Sequence, residues 1–269
     1  VNTARALAQV WGIPVIPINH MEGHVVTAMI SQVESSSSSK VYQVEKPELP
    51  ILSLLVSGGH TELVLSENFG KYQKIGQTRD DAVGEAFDKV ARVLGLPYPG
   101  GPAISRLAKE YRESNKEKLF DLPRPMLHSG DYDFSFSGIK TAVLYATRDI
   151  TEQNTRELTE EEKGSLACEF ENAVVEVLIH KTLKALEEYG AQTLVVGGGV
   201  AGNTYLRSEF TKALLARTVL ASTKILFPEP WLTTDNAVMI GLAGMLQVFS
   251  GEIKTRNPDE LRADGNLSL

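Results

Sequence analysis

The stretch Ile51–Leu65, with the sequence ILSLLVSGGHTELVL, predicts two strands joined by a glycine turn. Ile51–Val56 is an apolar run of the length expected for a buried strand, and Glu62–Leu65 resumes a strand pattern after the turn. The two adjacent glycines let backbone N–H groups point into a shared concavity, which is how a loop holds a phosphate or a carboxylate. A plain tight hairpin without a ligand is the alternative.

A second glycine-rich segment follows another predicted buried strand, Thr193–Val196. Its loop, GGGVAGN at residues 197–203, leads into a predicted helix over Thr204–Ala216, and a loop of this kind before a helix N-terminus can bind an anion. The loop formally matches the dinucleotide motif GxGxxG. The next predicted strand, Lys224–Phe227, runs into the sequence PEP and lacks a clean acidic end to hold a ribose, which disfavours a dinucleotide fold.

Two histidines stand four residues apart in the sequence HMEGH, at the start of a helix predicted over His20–Gln32. This spacing puts His20 and His24 on one helix face, where both could bind one metal ion. Asp235 precedes a predicted last helix, Ala237–Phe249, and could be either the third ligand or only the N-cap of that helix. Two imidazoles and a carboxylate suit Fe(II) or Zn(II) and leave positions open for substrate oxygens.

The composition is that of an ordinary globular protein of 269 residues, 42% hydrophobic, with a net charge of −7. An acidic chain binds nucleic acid poorly without a local basic patch or a partner. No run of eighteen apolar residues or signal peptide is visible, so neither a membrane span nor a leader is expected. The single cysteine, Cys168, fits a reducing compartment and is expected in the core.

The first half of the chain predicts further elements by periodicity. Residues 2–11 form a helix that Gly12 ends, and Ile13–Ile18 form an irregular strand. Glu34–Lys40, with five serines in a row, forms a surface excursion without chemistry. Thr78–Asp81 begin a helix that runs to Leu94, with Asp88 at the margin of its apolar stripe. That carboxylate is either solvated or available to a polar ligand such as sugar hydroxyls.

Three more segments complete the secondary-structure prediction. Tyr98–Pro102 form an irregular loop whose glycines allow close approach of the backbone. Asp133–Phe136 start as a strand, and a helix begins at Ser137. A polar connector over Asp149–Glu162 precedes a long amphipathic helix, Glu161–Tyr189.

Six motifs, in this order and over nearly the whole chain, resemble one family. They are HMEGH, LLVSGGHTEL, DDAVGEAFDKVARVLGLPYPGGP, DFSFSGIKTAV, VVGGGVAGN and TTDNAVMIG. The family is that of the bacterial and organellar TsaD-type tRNA threonylcarbamoyltransferases. The resemblance implies an α/β, two-lobed fold like that of actin, Hsp70 and the sugar kinases, with duplicated RNase H-like lobes. The family's opening strand-hairpin would lie ahead of Val1, so the first lobe is expected to be incomplete here.

The resemblance also implies an activity and domain limits. The enzyme would transfer a threonylcarbamoyl group from threonylcarbamoyl-AMP to N6 of adenosine 37 in tRNAs that read ANN codons. Residues 1–49 and 233–256 would form the N-terminal lobe, residues 50–232 the second lobe with helical insertions, and residues 257–269 a polar tail. The protein would be cytoplasmic, or mitochondrial if it belongs to the organellar branch.

Site residues follow from the resemblance position by position. His20, His24 and Asp235 would bind one divalent metal, Fe(2+) first and Zn(2+) second. The substrate would be lined by Leu55, Val56, Ser57, Gly58, Gly59 and His60. Asp88 and Gly101 would hold its ribose, and Gly198, Gly199 and Asn203 its adenine and phosphate side. Ser105 stands where many relatives have an acidic residue. Partners would be tRNA, and either a non-catalytic paralogue with a P-loop ATPase or a second copy in a homodimer.

Two other functions stay open at this point. A sugar or acetate kinase of the same fold would use the glycine loops for ATP and would not need the two histidines. A non-catalytic partner subunit would not need the metal ligands, all three of which are present in this sequence.

Overall fold

The structure is a computed structural model that describes residues 1–33, 41–68, 70–154, 156–251, 255–262 and 269. The predicted serine-rich excursion at residues 34–40 lies outside the described residues. The helices are α1 (Asn2–Trp11), α2 (His20–Thr27), α3 (Val83–Val93), α4 (Gly100–Glu113), α5 (Ser137–Asn154), α6 (Glu160–Tyr189), α7 (Thr204–Leu215) and α8 (Ala237–Ser250). The strands are β1 (Ile30–Val33), β2 (Val41–Val44), β3 (Ile51–Val56), β4 (Thr61–Asn68), β5 (Lys71–Gln77), β6 (Thr193–Gly197) and β7 (Lys224–Leu226).

A five-stranded mixed sheet, in the order β5-β4-β3-β6-β7, is the centre of the fold. The predicted hairpin is present, because β3 and β4 pair antiparallel with Val56 opposite Thr61. Strands β3, β6 and β7 run parallel, with Leu55 opposite Gly197. The carboxyl ends of β3 and β6 therefore lie side by side at one edge of the sheet.

Both faces of the sheet are covered, which explains why every residue of β3 is buried. Leu52, Leu54 and Val56 belong to a large cluster that includes residues of α3, α5, α6 and α7. Ile51 and Leu55 point the other way, because side chains alternate along a strand, and they join a smaller cluster with residues of α2 and α8. Helix α2 is thus held between the sheet and α8.

The longest helix, α6, has well-defined ends. Thr159 and Glu162 form a capping box at its start. Gly190 ends it in the left-handed conformation, with φ 59°. Helix α1 ends in the same way at Gly12, with φ 64°. Phe170 of α6 packs edge to face on Phe87 of α3, with ring centroids 5.0 Å apart. This contact joins α6 to the helix that carries Asp88.

Two predictions at the front of the chain are wrong in detail. Helix α2 ends at Thr27 rather than near Gln32, because residues 30–33 pair with β2 as an antiparallel ribbon. The predicted strand over Ile13–Ile18 is reduced to a single bridge between Val15 and Arg256. In both cases the pairing partner lies at a distance along the chain that local periodicity does not reveal.

The middle of the chain differs in four places. Helix α3 begins at Val83 and not at Thr78, because Asp80 instead accepts hydrogen bonds from the hydroxyls of Ser135 and Ser137, both at 2.6 Å. Asp133–Phe136 make one bridge rather than a strand. The predicted loop over Tyr98–Pro102 turns into α4 at Gly100, and α5 extends into the predicted connector as far as Asn154.

The predicted polar tail contains a short 3₁₀ helix, Pro258–Glu260, that contacts α1. Leu261 is buried beside it. The limits of the two lobes stay a prediction from sequence. Within the described ranges, none of the helices combines the length and the apolar character needed to cross a bilayer.

Candidate functional site

The candidate site lies at the sheet edge where β3 and β6 end, the position where parallel sheets commonly bind ligands. Strand β3 leads into the turn at residues 57–60, and β6 leads into the loop at residues 197–203. Gly198 has φ 92°, and a Cβ there would lie 2.4 Å from the carbonyl oxygen of Val56. Glycine is therefore required at this position, and it lets the two segments touch.

A further pair of glycines brings α2 to the same edge. A Cβ on Gly197 would lie 2.7 Å from the carbonyl oxygen of His24, so α2 rests directly on the end of β6. A Cβ on Gly23 would lie 2.9 Å from Cε of Met239, so the side chain of Met239 on α8 packs directly on α2. Asn19 caps α2 by accepting a hydrogen bond from the N–H of Met21 at 2.8 Å.

The two histidines and Asp235 converge, as the sequence predicts. One carboxylate oxygen of Asp235 lies 3.3 Å from Nε2 of His20 and 3.2 Å from Nε2 of His24. One ligand atom from each of the three residues lies within 4.8 Å of the other two. The imidazole rings are perpendicular, with centroids 4.9 Å apart. The side chain of His24 is 3% exposed, against 51% for His20 and 75% for Asp235, so the group opens to solvent on one side.

The alternative role of Asp235 as the helix cap is wrong. Asn236 is the N-cap of α8, and its side chain accepts a hydrogen bond from the N–H of Met239 at 3.0 Å. The neighbouring asparagine therefore satisfies the helix end and leaves the carboxylate of Asp235 free to face the histidines.

The donor set of this group fits a divalent metal. Burial lowers the pKa of His24, the nearby His20 lowers it further, and Asp235 acts in the opposite direction. His24 is consequently neutral near pH 7, the state in which an imidazole binds a metal. Its Nδ1 atom is buried without a hydrogen-bond partner among the described residues. Two imidazole nitrogens and one carboxylate oxygen are a known combination for iron and zinc.

The turn after β3 is organised differently from the expectation. The hydroxyl oxygen of Ser57 accepts hydrogen bonds from the N–H groups of Gly59, at 3.3 Å, and His60, at 3.0 Å. These two N–H groups therefore stabilise the turn itself and do not point into an anion pocket. A Cβ on Gly58 or on Gly59 would have no atom within 4 Å, so there is open space beside both glycines.

Leu55 and Val56 contribute to the site only through their backbone, because both side chains are fully buried in the sheet. The N–H of Gly84, in the first turn of α3, donates to the carbonyl oxygen of Ser57 at 3.1 Å. The helix that carries Asp88 thus begins directly against the turn.

The carboxylate of Asp88, on α3, reaches the start of α4, where Gly101 lies. The carboxylate of Asp88 accepts a hydrogen bond from the N–H of Gly100 at 2.7 Å, which satisfies one of the free donors of the first turn. Gly101 follows, and a Cβ there would have open space around it. One turn later on α4, Ser105 accepts a hydrogen bond from Nδ2 of Asn203 at 3.0 Å.

Asn203 connects the loop after β6 to this group. Its Oδ1 accepts the N–H of Leu206 at 2.9 Å and caps α7, and its Nδ2 also donates to Glu171 at 2.8 Å. Sequence reasoning missed Glu171 and its other partner, Arg112. No local signal marks Glu171, because Glu169 and Asn172 stand close to it and this stretch of α6 is mixed polar and apolar.

Comparison with known proteins supports the sequence resemblance. The family model described as "TsaD: tRNA N6-adenosine threonylcarbamoyltransferase" matches residues 1–242. Curated relatives of that name include one from Nitrosospira multiformis, 45% identical over 93% of this chain and 66% of its own length. Another, from Bordetella pertussis, is 43% identical over 96% of this chain and 68% of its own length. The chain therefore spans about two thirds of the length of these relatives.

Two solved structures of HypF share the fold. One, from T. kodakarensis, has a TM-score of 0.58 at 12% identity and covers 93% of this chain and 39% of its own. A full-length HypF in a phosphate- and nucleotide-bound form has a TM-score of 0.57 at 14% identity, over 88% of this chain and 44% of its own. The predicted fold class, an α/β fold of the actin, Hsp70 and sugar-kinase type, is confirmed. The matched family model, the close bacterial relatives and this fold agree, and the chain belongs to the TsaD family of tRNA N6-adenosine threonylcarbamoyltransferases.

Proposed function

We propose that this chain transfers the threonylcarbamoyl group from threonylcarbamoyl-AMP to N6 of adenosine 37 in tRNAs that read ANN codons. The observation that carries the proposal is the convergence of His20, His24 and Asp235 at the sheet edge that also carries the glycine turn and the loop ending in Asn203. A metal-binding group beside an open, glycine-bordered edge suits a substrate that has both a carbonyl to be polarised and a nucleotide to be held.

The metal is proposed to be Fe(2+), with Zn(2+) as the second choice. His20, His24 and Asp235 would hold it, and the exposure of His20 and Asp235 leaves room for substrate oxygens on the solvent side. Bound there, such a cation would polarise the carbamoyl carbonyl and stabilise the negative charge that develops on its oxygen.

The other site residues would hold the nucleotide. The acyl-phosphate part of the substrate would occupy the open space beside Gly58 and Gly59. Asp88 and Gly101 would bind the ribose, and the loop from Gly198 to Asn203 the adenine and phosphate side. With these contacts the reacting carbonyl would face His20, His24 and Asp235, and the adenylate would lie against α4 and α7.

The reaction is proposed to proceed by direct attack. The N6 amine of adenosine forms a bond to the carbamoyl carbon, the bond from that carbon to the phosphate oxygen breaks, and the amine loses a proton as AMP leaves. A covalent enzyme intermediate is not invoked. Cys168 is buried on α6 and burial raises the pKa of its thiol, so it is a poor nucleophile.

Binding of tRNA is proposed to depend on partners, because the net charge of −7 opposes contact with a polyanion. These partners would be a non-catalytic paralogue with a P-loop ATPase, or a second copy of the chain. The single cysteine and the bacterial relatives support a cytoplasmic location, with the mitochondrion as the organellar counterpart.

The test is reconstitution with tRNA, threonylcarbamoyl-AMP, Fe(2+) and the proposed partner proteins, with the modified nucleoside measured by mass spectrometry after digestion of the tRNA. We expect product with the wild type and a loss of at least about 100-fold with the double variant His20→Ala/His24→Ala. A matched control is His128→Ala/His180→Ala, because this second histidine pair has the same perpendicular geometry, with centroids 5.3 Å apart, outside the site. The alternative is a sugar or acetate kinase. It would be supported if the chain transferred a phosphoryl group from ATP without His20 and His24 and formed no modified nucleoside.

A further inference from the structure

Glu171 is a fully buried carboxylate beneath the proposed nucleotide site. It lies on α6 with 0% exposure, and each of its oxygens accepts one hydrogen bond. Oε1 accepts from Nδ2 of Asn203 at 2.8 Å, and Oε2 accepts from Nη2 of Arg112 at 2.5 Å. A buried carboxylate is costly unless it is paired, so these two hydrogen bonds offset the burial of Glu171.

Arg112 is itself held in place from two sides. Its guanidinium carbon lies 3.5 Å from the ring centroid of Tyr205 on α7, and its Nη2 also donates to Asn172 at 3.2 Å. An arginine stacked on an aromatic ring and bonded at its edge has little freedom to rotate. The position of the Glu171 carboxylate is therefore fixed by α4 and α7 as well as by its own helix.

This arrangement constrains the side-chain amide of Asn203. A carboxylate oxygen only accepts and the Leu206 N–H only donates, so the amide of Asn203 has one permitted orientation, with Nδ2 toward Glu171 and Oδ1 toward α7. The second hydrogen on Nδ2 faces Ser105. Because Ser105 Oγ accepts this bond, its own hydroxyl hydrogen is free to point away from Asn203. Glu171 and the N–H of Leu206 together determine which donors and acceptors this corner of the site presents.

We infer that Glu171 and Arg112 are positioning residues for nucleotide binding, and that they act through Asn203 without touching the ligand. This inference rests on the proposed function, since it assumes that Asn203 borders the nucleotide. Glu171 and the N–H of Leu206 together set the orientation of the Asn203 amide, and Arg112 sets the position of Glu171.

The test is the variant Glu171→Gln, with AMP as the probe. A glutamine offers one oxygen and one NH2 group, so it cannot accept from both Arg112 and Asn203. When its oxygen faces Arg112, its NH2 group faces Nδ2 of Asn203, and the asparagine amide must turn over or lose its partner. We expect the affinity for AMP, measured by calorimetry, to fall about tenfold, and the side-chain amide signals of Asn203 in a ¹⁵N spectrum to shift.

Glu169→Gln is the matched control. Glu169 lies on the same helix, is 3% exposed and pairs with Arg124 and Lys118, but it has no bond to Asn203. It should lower the unfolding temperature to a similar extent, while AMP affinity and the Asn203 signals stay at wild-type values. A purely structural role for Glu171 predicts that both variants behave alike.

The outcomes separate this inference from the proposed function. Wild-type AMP affinity in Glu171→Gln would overturn the inference alone. Failure of the wild-type chain to bind AMP would overturn the nucleotide site and, with it, the inference. Should Glu171→Gln fail to fold, Glu171→Asp keeps the charge but is one methylene too short to reach both partners. The expected result is again weaker AMP binding, and an unchanged affinity again contradicts the inference.

Discussion

Asp235 places a carboxylate oxygen 3.2 Å from Nε2 of His24, although the two residues come from opposite parts of the chain. They meet because α8 packs on α2, with Gly23 allowing the close contact with Met239. The two histidines, in contrast, are neighbours on a single helix. The geometry of the group therefore depends on one local spacing and one tertiary contact.

The two histidines are expected to differ when they are replaced one at a time. Both His20→Ala and His24→Ala remove a metal-ligand nitrogen, so both should lower bound iron or zinc, measured by mass spectrometry of the metal content. His24 is buried and His20 is half exposed. Only His24→Ala leaves a cavity, and it should cost about 2 kcal/mol in the free energy of unfolding, against under about 0.5 kcal/mol for His20→Ala.

Equal costs of unfolding for the two variants would contradict the burial that the structure gives to His24. Unchanged metal content in both would contradict the metal site. His128→Ala serves as the control for the loss of an imidazole elsewhere in the chain.

Because of Asp131, the stability of the fold is expected to depend on pH in the acidic range. The hydroxyl of Ser129 and the ammonium of Lys181 hold the pKa of the Asp131 carboxyl at about 2, below its usual 3.8. A group with a lowered pKa in the folded state stabilises the fold above its unfolded pKa and loses that effect as the pH falls through the folded value. The contribution of Asp131 should therefore be complete above about pH 4 and disappear toward about pH 2.

The variant Asp131→Asn tests this dependence by urea unfolding at a series of pH values. We expect it to be less stable than the wild type near neutral pH, because it leaves Lys181, 1% exposed, without its carboxylate. The difference should shrink as the pH falls from about 4 toward 2. A constant difference over this range would show that the pKa of Asp131 is not lowered. Asp149→Asn, at an exposed carboxylate on α5, is the control.

Gly197 couples the sheet to the metal group. In Gly197→Ala the new Cβ would lie 2.7 Å from the carbonyl oxygen of His24, so α2 must move away from β6. We expect a loss of about 1–3 kcal/mol in the free energy of unfolding together with weaker metal binding. Gly241→Ala on α8, where a Cβ meets no atom within 4 Å, should leave metal binding unchanged and raise the free energy of unfolding by up to about 1 kcal/mol, because alanine favours the helix. Full metal affinity in Gly197→Ala would mean that the position of α2 is not set by this contact.

Local patterns in the sequence were sufficient for much of the fold. The apolar runs at Ile51–Val56 and Thr193–Val196 predict the two central strands, because a strand buried on both faces is apolar throughout. The pairing of β1 with β2 was not predictable in this way. Four exposed residues, Val41–Val44, form a strand only because residues 30–33 lie beside them. The end of α2 was misplaced for the same reason.

In the candidate site, too, local sequence patterns predict some residues, while others depend on tertiary packing. The spacing of His20 and His24 is a local signal. From the residues alone Asp235 could be either the third ligand or a helix cap, and the resemblance favoured the ligand. Glu171 and Arg112 carry no motif, and their pairing across α4 and α6 depends on how those helices pack. The use of turn N–H groups by the hydroxyl of Ser57 was likewise invisible, since the same sequence could have pointed them outward.

The glycine turn after β3 can be tested without disturbing the fold. In Gly59→Ala the new methyl group would enter open space, with no protein atom within 4 Å, and the backbone there is not in the left-handed region. The unfolding temperature should therefore stay within about 2 °C of the wild type.

If the acyl-phosphate of the substrate occupies that space, the methyl group of Gly59→Ala displaces it. We expect KM for threonylcarbamoyl-AMP to rise about tenfold in the reconstituted reaction. Gly241→Ala adds the same methyl group at another open position, on α8, and should leave KM unchanged. An unaltered KM in Gly59→Ala would place the substrate elsewhere on the sheet edge. A ligand in van der Waals contact with the turn would overlap with the added methyl group and bind more weakly.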